Sequence, residues 1–395
     1  MKQEAPYGWV VVWATFVCLA LIFGVSYSFA AFFASFAGEF NAQRADVSWI
    51  FGLSGLVYFV LGTLGGILAD RWGPRLVCAC GMVLIALGLL ATSWAPALWV
   101  VYLSYGLLVG LGIAFVYTPS IASVQPWFTV RRGLAGGIAS AGVGAGTLVV
   151  PLLVAMGIAQ MPWREAMRLL ALAVLVVGLL ASALLRRAPA AGSASSGGTA
   201  TGLSLSETLR TPTFRWFYLA TVLASPVMFI PFAHLSASAR DLGLDEALAV
   251  GLVGLIGVGS LVGRFSIGLL ADRLGRAQTL VLMQLSMGAS YLLWAAADGH
   301  TLLVLFALWF GLSYGSIVSL LPAICMDYFG GRSVASVVGA LYSGAAVGNL
   351  LGPVLAGAAF DHWGHYQGVM GGCLVLALLA TWSSWRMQQM GRARF

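Results

Sequence analysis

Charge is what this chain has least of. Only 8% of its 395 residues are charged and 60% are hydrophobic, against about 25% charged in an ordinary soluble domain. Too little polar surface remains to keep a core of this length in water, so a soluble globular protein is excluded. Lysine is nearly missing, with Lys2 the only one, and the other nineteen cations are arginines. Five cysteines (Cys18, Cys78, Cys80, Cys325, Cys373) all fall inside apolar runs, which argues against a disulfide framework. Cys78-Ala-Cys80 lacks a metal-ligand spacing and has no neighbouring histidine, so no metal and no cofactor is expected. HExxH, a nucleotide loop and paired catalytic carboxylates are also missing, so an enzyme is not expected. No soluble signalling domain is present to support a membrane receptor or sensor.

The apolar residues run in stretches long enough to cross about 30 Å of hydrocarbon at about 1.5 Å per residue. Twelve spans are predicted: 8–37, 47–69, 76–94, 98–126, 133–158, 166–186, 213–238, 246–271, 277–297, 301–327, 334–359 and 367–386. The fold class is therefore all-α integral membrane. The first run is too long for the apolar part of a cleavable signal peptide and reads as the first span. Fifty glycines suit helices that pack closely through small residues. Arginines concentrate in the loops on one side of this plan. Arg44, Arg164, Arg168 and Arg240 lie on the other, and the positive-inside rule places both termini in the cytoplasm. The net charge of +7 then needs no nucleic acid to explain it. Residues 188–210 open with an Ala-, Gly-, Ser- and Thr-rich run and form a flexible cytoplasmic linker between six-helix bundles 1–187 and 211–395.

The bundles echo each other. Gly66-Ile-Leu-Ala-Asp70-Arg71-Trp-Gly73-Pro-Arg75 recurs 202 residues later as Gly268-Leu-Leu-Ala-Asp272-Arg273-Leu-Gly275-Arg276. Phe128, Arg132, Gly146 and Pro151 return at nearly the same offset as Phe329, Arg332, Gly348 and Pro353. Parallel six-span repeats are the plan of the major facilitator superfamily, whose signature loop the first motif resembles. An Asp at a helix end with Arg beside it can clamp neighbouring helix ends through charge-assisted hydrogen bonds. Asp70, Arg71, Arg75, Asp272, Arg273 and Arg276, with Arg131 and Arg132, are the candidate gating residues.

Arg264 is out of place in this plan. It sits within the eighth span among Leu261, Val262, Phe265 and Ile267, about 10 Å of helix rise from the cytoplasmic end. Burying a cation there costs about 3 to over 10 kcal/mol. No acidic residue lies mid-span to pair with it, since Asp70, Asp272 and Asp327 stand at span ends. An unpaired arginine at this depth must face water or bind an anion, and guanidinium grips carboxylate bidentately. The alternative is a structural arginine satisfied by backbone carbonyls. Ser260, one turn away on the same face, is the next candidate. Tyr27, Ser28, Tyr117 and Asn349 could donate further hydrogen bonds, and Phe229 and Phe232 could wall an apolar pocket. Helix packing is the competing role for each of these.

Over nearly its whole length the chain resembles the monocarboxylate transporter family. The resemblance rests on Tyr7-Gly8-Trp9-Val-Val-Val12, Val25-Ser26-Tyr27-Ser-Phe29, Asp46-Val-Ser-Trp49-Ile and Phe128-Thr-Val-Arg131-Arg132-Gly-Leu-Ala135. Val262-Gly-Arg264, Met326-Asp327-Tyr-Phe-Gly330, Gly352-Pro353-Val-Leu-Ala-Gly357 and Asp361-His-Trp-Gly364 complete it. It implies that Arg264 is the carboxylate ligand of a bacterial homologue in the bacterial cytoplasmic membrane, working as a monomer. Animal members carry a lysine near Ala31 and an aspartate at the position of Ser260, both among the family's proposed proton-handling groups, and both are missing here. The related oxalate:formate exchangers use a second cation in helix eleven, also missing, which points to a monoanion. His234 is the candidate for proton coupling, with an interfacial histidine bonding a carbonyl as the alternative. His300, His362 and His365 read as solvated. The expectation is proton-coupled symport of lactate- or pyruvate-like monoanions, with organic-anion exchange or uniport as the alternative. A cation antiporter would need a membrane carboxylate, and a sugar carrier would have no use for a bare Arg264.

Overall fold

A computed structural model describes residues 6–128, 132–187, 202–330 and 334–392. Among them are twelve helices of 20 residues or more. The first six are α1 (Tyr7–Glu39), α2 (Arg44–Trp72), α3 (Pro74–Ser93), α4 (Leu98–Val124), α5 (Arg132–Ile158) and α6 (Trp163–Leu184). The second six are α7 (Pro212–Asp241), α8 (Glu246–Leu274), α9 (Arg276–Ala295), α10 (His300–Phe329), α11 (Val334–Trp363) and α12 (Gln367–Arg392). Eleven contain stretches long and apolar enough to cross a membrane. The exception is α9, whose 20 residues include Gln278, Thr279, Gln284, Ser286 and Ser290. Gln284 and Ser290 are buried against the protein, so α9 is dressed for helix contact as much as for lipid.

Local chemistry sets the helix ends. Asp245 and Thr211 cap α8 and α7, each accepting a backbone N–H three residues on. The two signature loops share one backbone device. Gly73 (φ 90°) ends α2 and Gly275 (φ 85°) ends α8, positive-φ positions that glycine fills without strain. Within the linker region, Leu205–Arg210 forms a short helix opened by Ser204 and Glu207, and Gly202 bridges to Gly330.

Within the first bundle α1 packs on α5, α2 on α4 and α3 on α6. Within the second, α8 packs on α10, and α12 on α7 and α9. The bundles meet along α2–α11, α5–α8 and α1–α7. Glycines set that seam, and they repeat at the same 202-residue offset. A Cβ on Gly52 would stand 2.8 Å from the Leu350 carbonyl oxygen, and one on Gly55 would overlap the Asn349 amide. At the equivalent places in the other half, Gly254 meets Leu148, and Gly257 meets Thr147 and the Gly144 carbonyl. The α2–α11 and α5–α8 contacts are thus two copies of one joint.

Two features break the helical regularity of α4. Tyr102–Val109 winds as a wider π-helix, and Pro119 interrupts the ladder further on. The Tyr105 hydroxyl from the widened stretch donates to the Val25 carbonyl of α1 at 2.6 Å.

Candidate functional site

Arg264 lies on α8 at the seam, half-buried, with Nε donating to Ser260 Oγ one turn back at 3.3 Å. Among the described residues no carboxylate stands within ion-pair distance of it. The hydroxyls of Tyr27 (α1), Tyr314 (α10) and Tyr342 (α11) lie in its neighbourhood. Tyr27 and Tyr314 approach hydroxyl to hydroxyl at 3.3 Å across the two halves. Tyr342 lies near Tyr117 of α4, again across the seam. Tyr58 of α2 closes the group through Phe23, whose ring also meets Tyr27 and Tyr117. The site is one guanidinium faced by phenols from both bundles: a single fixed positive charge, neutral donors and apolar rings. Such a surface can hold one small anion with an apolar body.

The candidate residues from the sequence fall into two groups. Tyr27, Tyr117, Ser260 and Arg264 converge, and Phe232 stacks on Tyr27 with ring centroids 4.1 Å apart. Phe229 joins the wall through Phe59, which also touches Tyr342. Ser28 and Asn349 are turned to other uses. Ser28 donates to the Gly24 carbonyl of its own helix at 2.6 Å. The Asn349 amide sits in the Gly52–Gly55 notch of α2, 3.4 Å from the Gly52 carbonyl. Tyr58, Tyr314 and Tyr342 are the members that sequence reasoning missed. Each stands in an apolar run where a tyrosine reads as packing, and no local spacing brings them together.

Access to the site is uneven. Arg264, Tyr117 and Tyr342 are only partly buried and lie toward the face where α1 begins and α12 ends. There the halves stand further apart: a Cβ on Gly339 would be 3.6 Å from Thr63, and one on Gly137 3.8 Å from Phe265. Of the candidate gating residues, Asp70, Arg71, Arg75, Arg273 and Arg276 are exposed on this face. Their bonds run within halves. Arg276 pairs with Asp327 at 2.6 Å, and Arg187 donates to the Ala69 and Asp70 carbonyls. Arg131 and the side chains of Arg132 and Asp272 lie outside the described residues.

The opposite face is shut, and its ties cross between halves. Arg44, at the start of α2, grips Asp241 at the end of α7 with two bonds of 2.6 and 2.9 Å. It also donates to the Tyr366 hydroxyl at 2.7 Å and stacks 3.6 Å over the Phe360 ring. Asp361 accepts from the first two N–H groups of α2, Arg44 at 3.0 Å and Ala45 at 2.9 Å, a favourable place for an anion. Arg240 donates to the Ala30 carbonyl and pairs with Glu246. His234 is fully buried among these groups, 2.7 Å from the Pro353 carbonyl, 3.1 Å from Ser48 Oγ and 2.9 Å from the Tyr366 hydroxyl. Burial holds the Tyr366 phenol well above its usual range, with Arg44 pulling it the other way. That hydroxyl therefore keeps its proton.

Known proteins align with this arrangement. The model of the Major Facilitator Superfamily matches residues 15–268 and 228–389. Bovine monocarboxylate transporter 13 is 34% identical over 384 residues, covering 95% of this chain and 89% of that protein. Human monocarboxylate transporter 11 is 30% identical, covering 95% and 82%. Among solved structures, a bacterial homologue of the human lysosomal transporter Spinster, in an inward-facing unoccupied conformation, superposes with a TM-score of 0.74. It does so at 14% identity over 99% of this chain and 98% of that one, a likeness of fold alone. The chain is a multi-pass membrane transporter and not an enzyme, and it belongs to the monocarboxylate transporter family of the major facilitator superfamily.

Proposed function

We propose that the chain carries small monocarboxylates, lactate- or pyruvate-like, across a bacterial cytoplasmic membrane by alternating access, as a monomer with twelve spans and both termini inside. Arg264 binds the substrate carboxylate, and the tyrosines donate to its remaining oxygens. One observation carries the reading: Arg264 is a half-buried cation at the seam with no carboxylate partner among the described residues. The names of the relatives point the same way. A lone guanidinium neutralises one carboxylate, so a monoanion is favoured over a dianion. The site is open toward the termini face, which makes this the inward-facing state, and the signature loops are the gate that closes that face.

Proton-coupled symport is the first form of the cycle. Exchange or uniport is the second, favoured by the lack of any acidic residue mid-span. Radiolabelled lactate uptake into proteoliposomes tests the assignment. Losing a charge-assisted pair costs about 1.5–3 kcal/mol, so Arg264→Ala and Arg264→Lys should each lose about tenfold or more. Undiminished uptake in both variants overturns the role of Arg264. An imposed inward proton gradient separates the two cycles, because only symport is accelerated by it.

A further inference from the structure

Hydrogen-bond direction fixes how His234 sits in the closed face. The Pro353 carbonyl can only accept, so His234 Nε2 carries the proton and donates to it at 2.7 Å. Nδ1 is then bare and accepts from the Tyr366 hydroxyl at 2.9 Å. That hydroxyl oxygen in turn accepts from Arg44 at 2.7 Å. Ser48 completes the ring, donating to the Arg44 carbonyl at 2.6 Å and lying 3.1 Å from Nε2. Arg44, Tyr366 and His234 thus form one directed chain from α2 to α7, whose Tyr366-to-Nδ1 link needs a neutral imidazole.

We propose that His234 is the proton-operated release of the Arg44 latch, so that a proton acts on the gate of the opposite face rather than on the substrate site. A second proton, on Nδ1, removes the acceptor that Tyr366 donates to. The Tyr366 oxygen must then accept from Nδ1 as well as from Arg44, and its own proton loses its acceptor in the ring. The imidazolium also stands beside the Arg44 guanidinium in a fully buried place, where like charges repel and a bare charge is costly. Parting the halves at this face relieves both, since it lets water reach the ring. The groups facing the ring are Arg44 and Ser48 of α2, Tyr366 before α12, and Pro353 of α11, whose last turn carries Asp361. Phe33 of α1 meets the ring edge on. On its own helix stand Asp241 and Arg240, the latter paired with Glu246 of α8. Titration of those three carboxylates is the competing source of any acid response.

The inference deepens the transport reading by assigning the proton's site of action, and it rests on the halves rocking about their seam. Its test needs no substrate, so it can fail while carboxylate transport stands, and the reverse. Spin labels are placed on Gln160→Cys and Ala296→Cys, exposed positions on the opposite face of each half, with exposed Cys80 replaced by serine. Pulsed electron paramagnetic resonance then reads the distance between them in lipid nanodiscs. From about pH 8 to about pH 5 the long-distance population should grow in the parent protein. His234→Gln should lose that shift. Tyr366→Phe, which keeps the histidine but cuts its link to Arg44, should weaken it, and this variant serves if His234→Gln does not fold. Arg44→Lys should favour the long distance at every pH. No shift in the parent, or a full shift persisting in His234→Gln or in Tyr366→Phe, overturns the proposal.

Discussion

Ser260 stands one turn from Arg264 and contributes a neutral oxygen at 3.3 Å. The guanidinium has no charged partner among the described residues. Ser260→Asp should therefore pair with Arg264 and compete with the monoanion. At neutral pH uptake should fall by about tenfold or more. It should recover as the pH falls and the new carboxyl is neutralised, which a pH series of lactate uptake checks. An unchanged rate at neutral pH would mean that Arg264 does not hold the substrate. Arg264 was legible in the sequence as a cation out of place, because burying one inside an apolar run is costly. Tyr58, Tyr314 and Tyr342 were not, because a tyrosine in a span suits packing as well as binding. Asn349 shows the converse: a mid-span amide looks like a ligand, yet its partners are the α2 backbone at Gly52 and Phe51.

At the scale of helices, apolar run length was enough to place eleven membrane-length segments, and α9 is the one whose polar residues serve neighbouring helices. The π-helical turn of α4 was not legible, since Tyr102–Val109 carries no local signal for a wider winding. The seam was half-visible. The 202-residue repeat was read from the signature loop, but the glycines that make the joint matter only through what they touch. Gly55→Val and Gly257→Val put side chains where Asn349 and the Gly144 carbonyl already stand. Each should cost about 1–3 kcal/mol as overpacking, lower the melting temperature in detergent by several degrees and depress uptake. Gly251→Val, whose Cβ would meet only Leu152 at 3.7 Å, is the matched control and should change neither. Equal losses in all three would show general intolerance of α2 and α8 to bulk rather than a specific joint.

Across the whole molecule the duplicated halves share a joint but not a charge. At the 202-residue offset Arg264 corresponds to Gly62, Ser260 to Tyr58, and Tyr27 to Phe229. The second half alone supplies the cation, while phenols come from both halves: Tyr27, Tyr58 and Tyr117 from the first, Tyr314 and Tyr342 from the second. The closed face is equally lopsided, for Arg44 reaches from the first half to Asp241, Asp361 and Tyr366 of the second. None of this was legible from spacing, because loop charges look solvated until the loops are brought together. If these ties must part in every cycle, fastening them should stop transport without emptying the site. Gln43→Cys and Leu242→Cys flank the Arg44–Asp241 pair on exposed positions. A short bis-maleimide bridging them, in a Cys80→Ser background, should abolish lactate uptake. Lactate binding by the bridged protein in detergent should persist, because Arg264 remains reachable from the termini face. Retained binding separates a locked carrier from a misfolded one, and transport continuing after complete bridging would show that this face does not open.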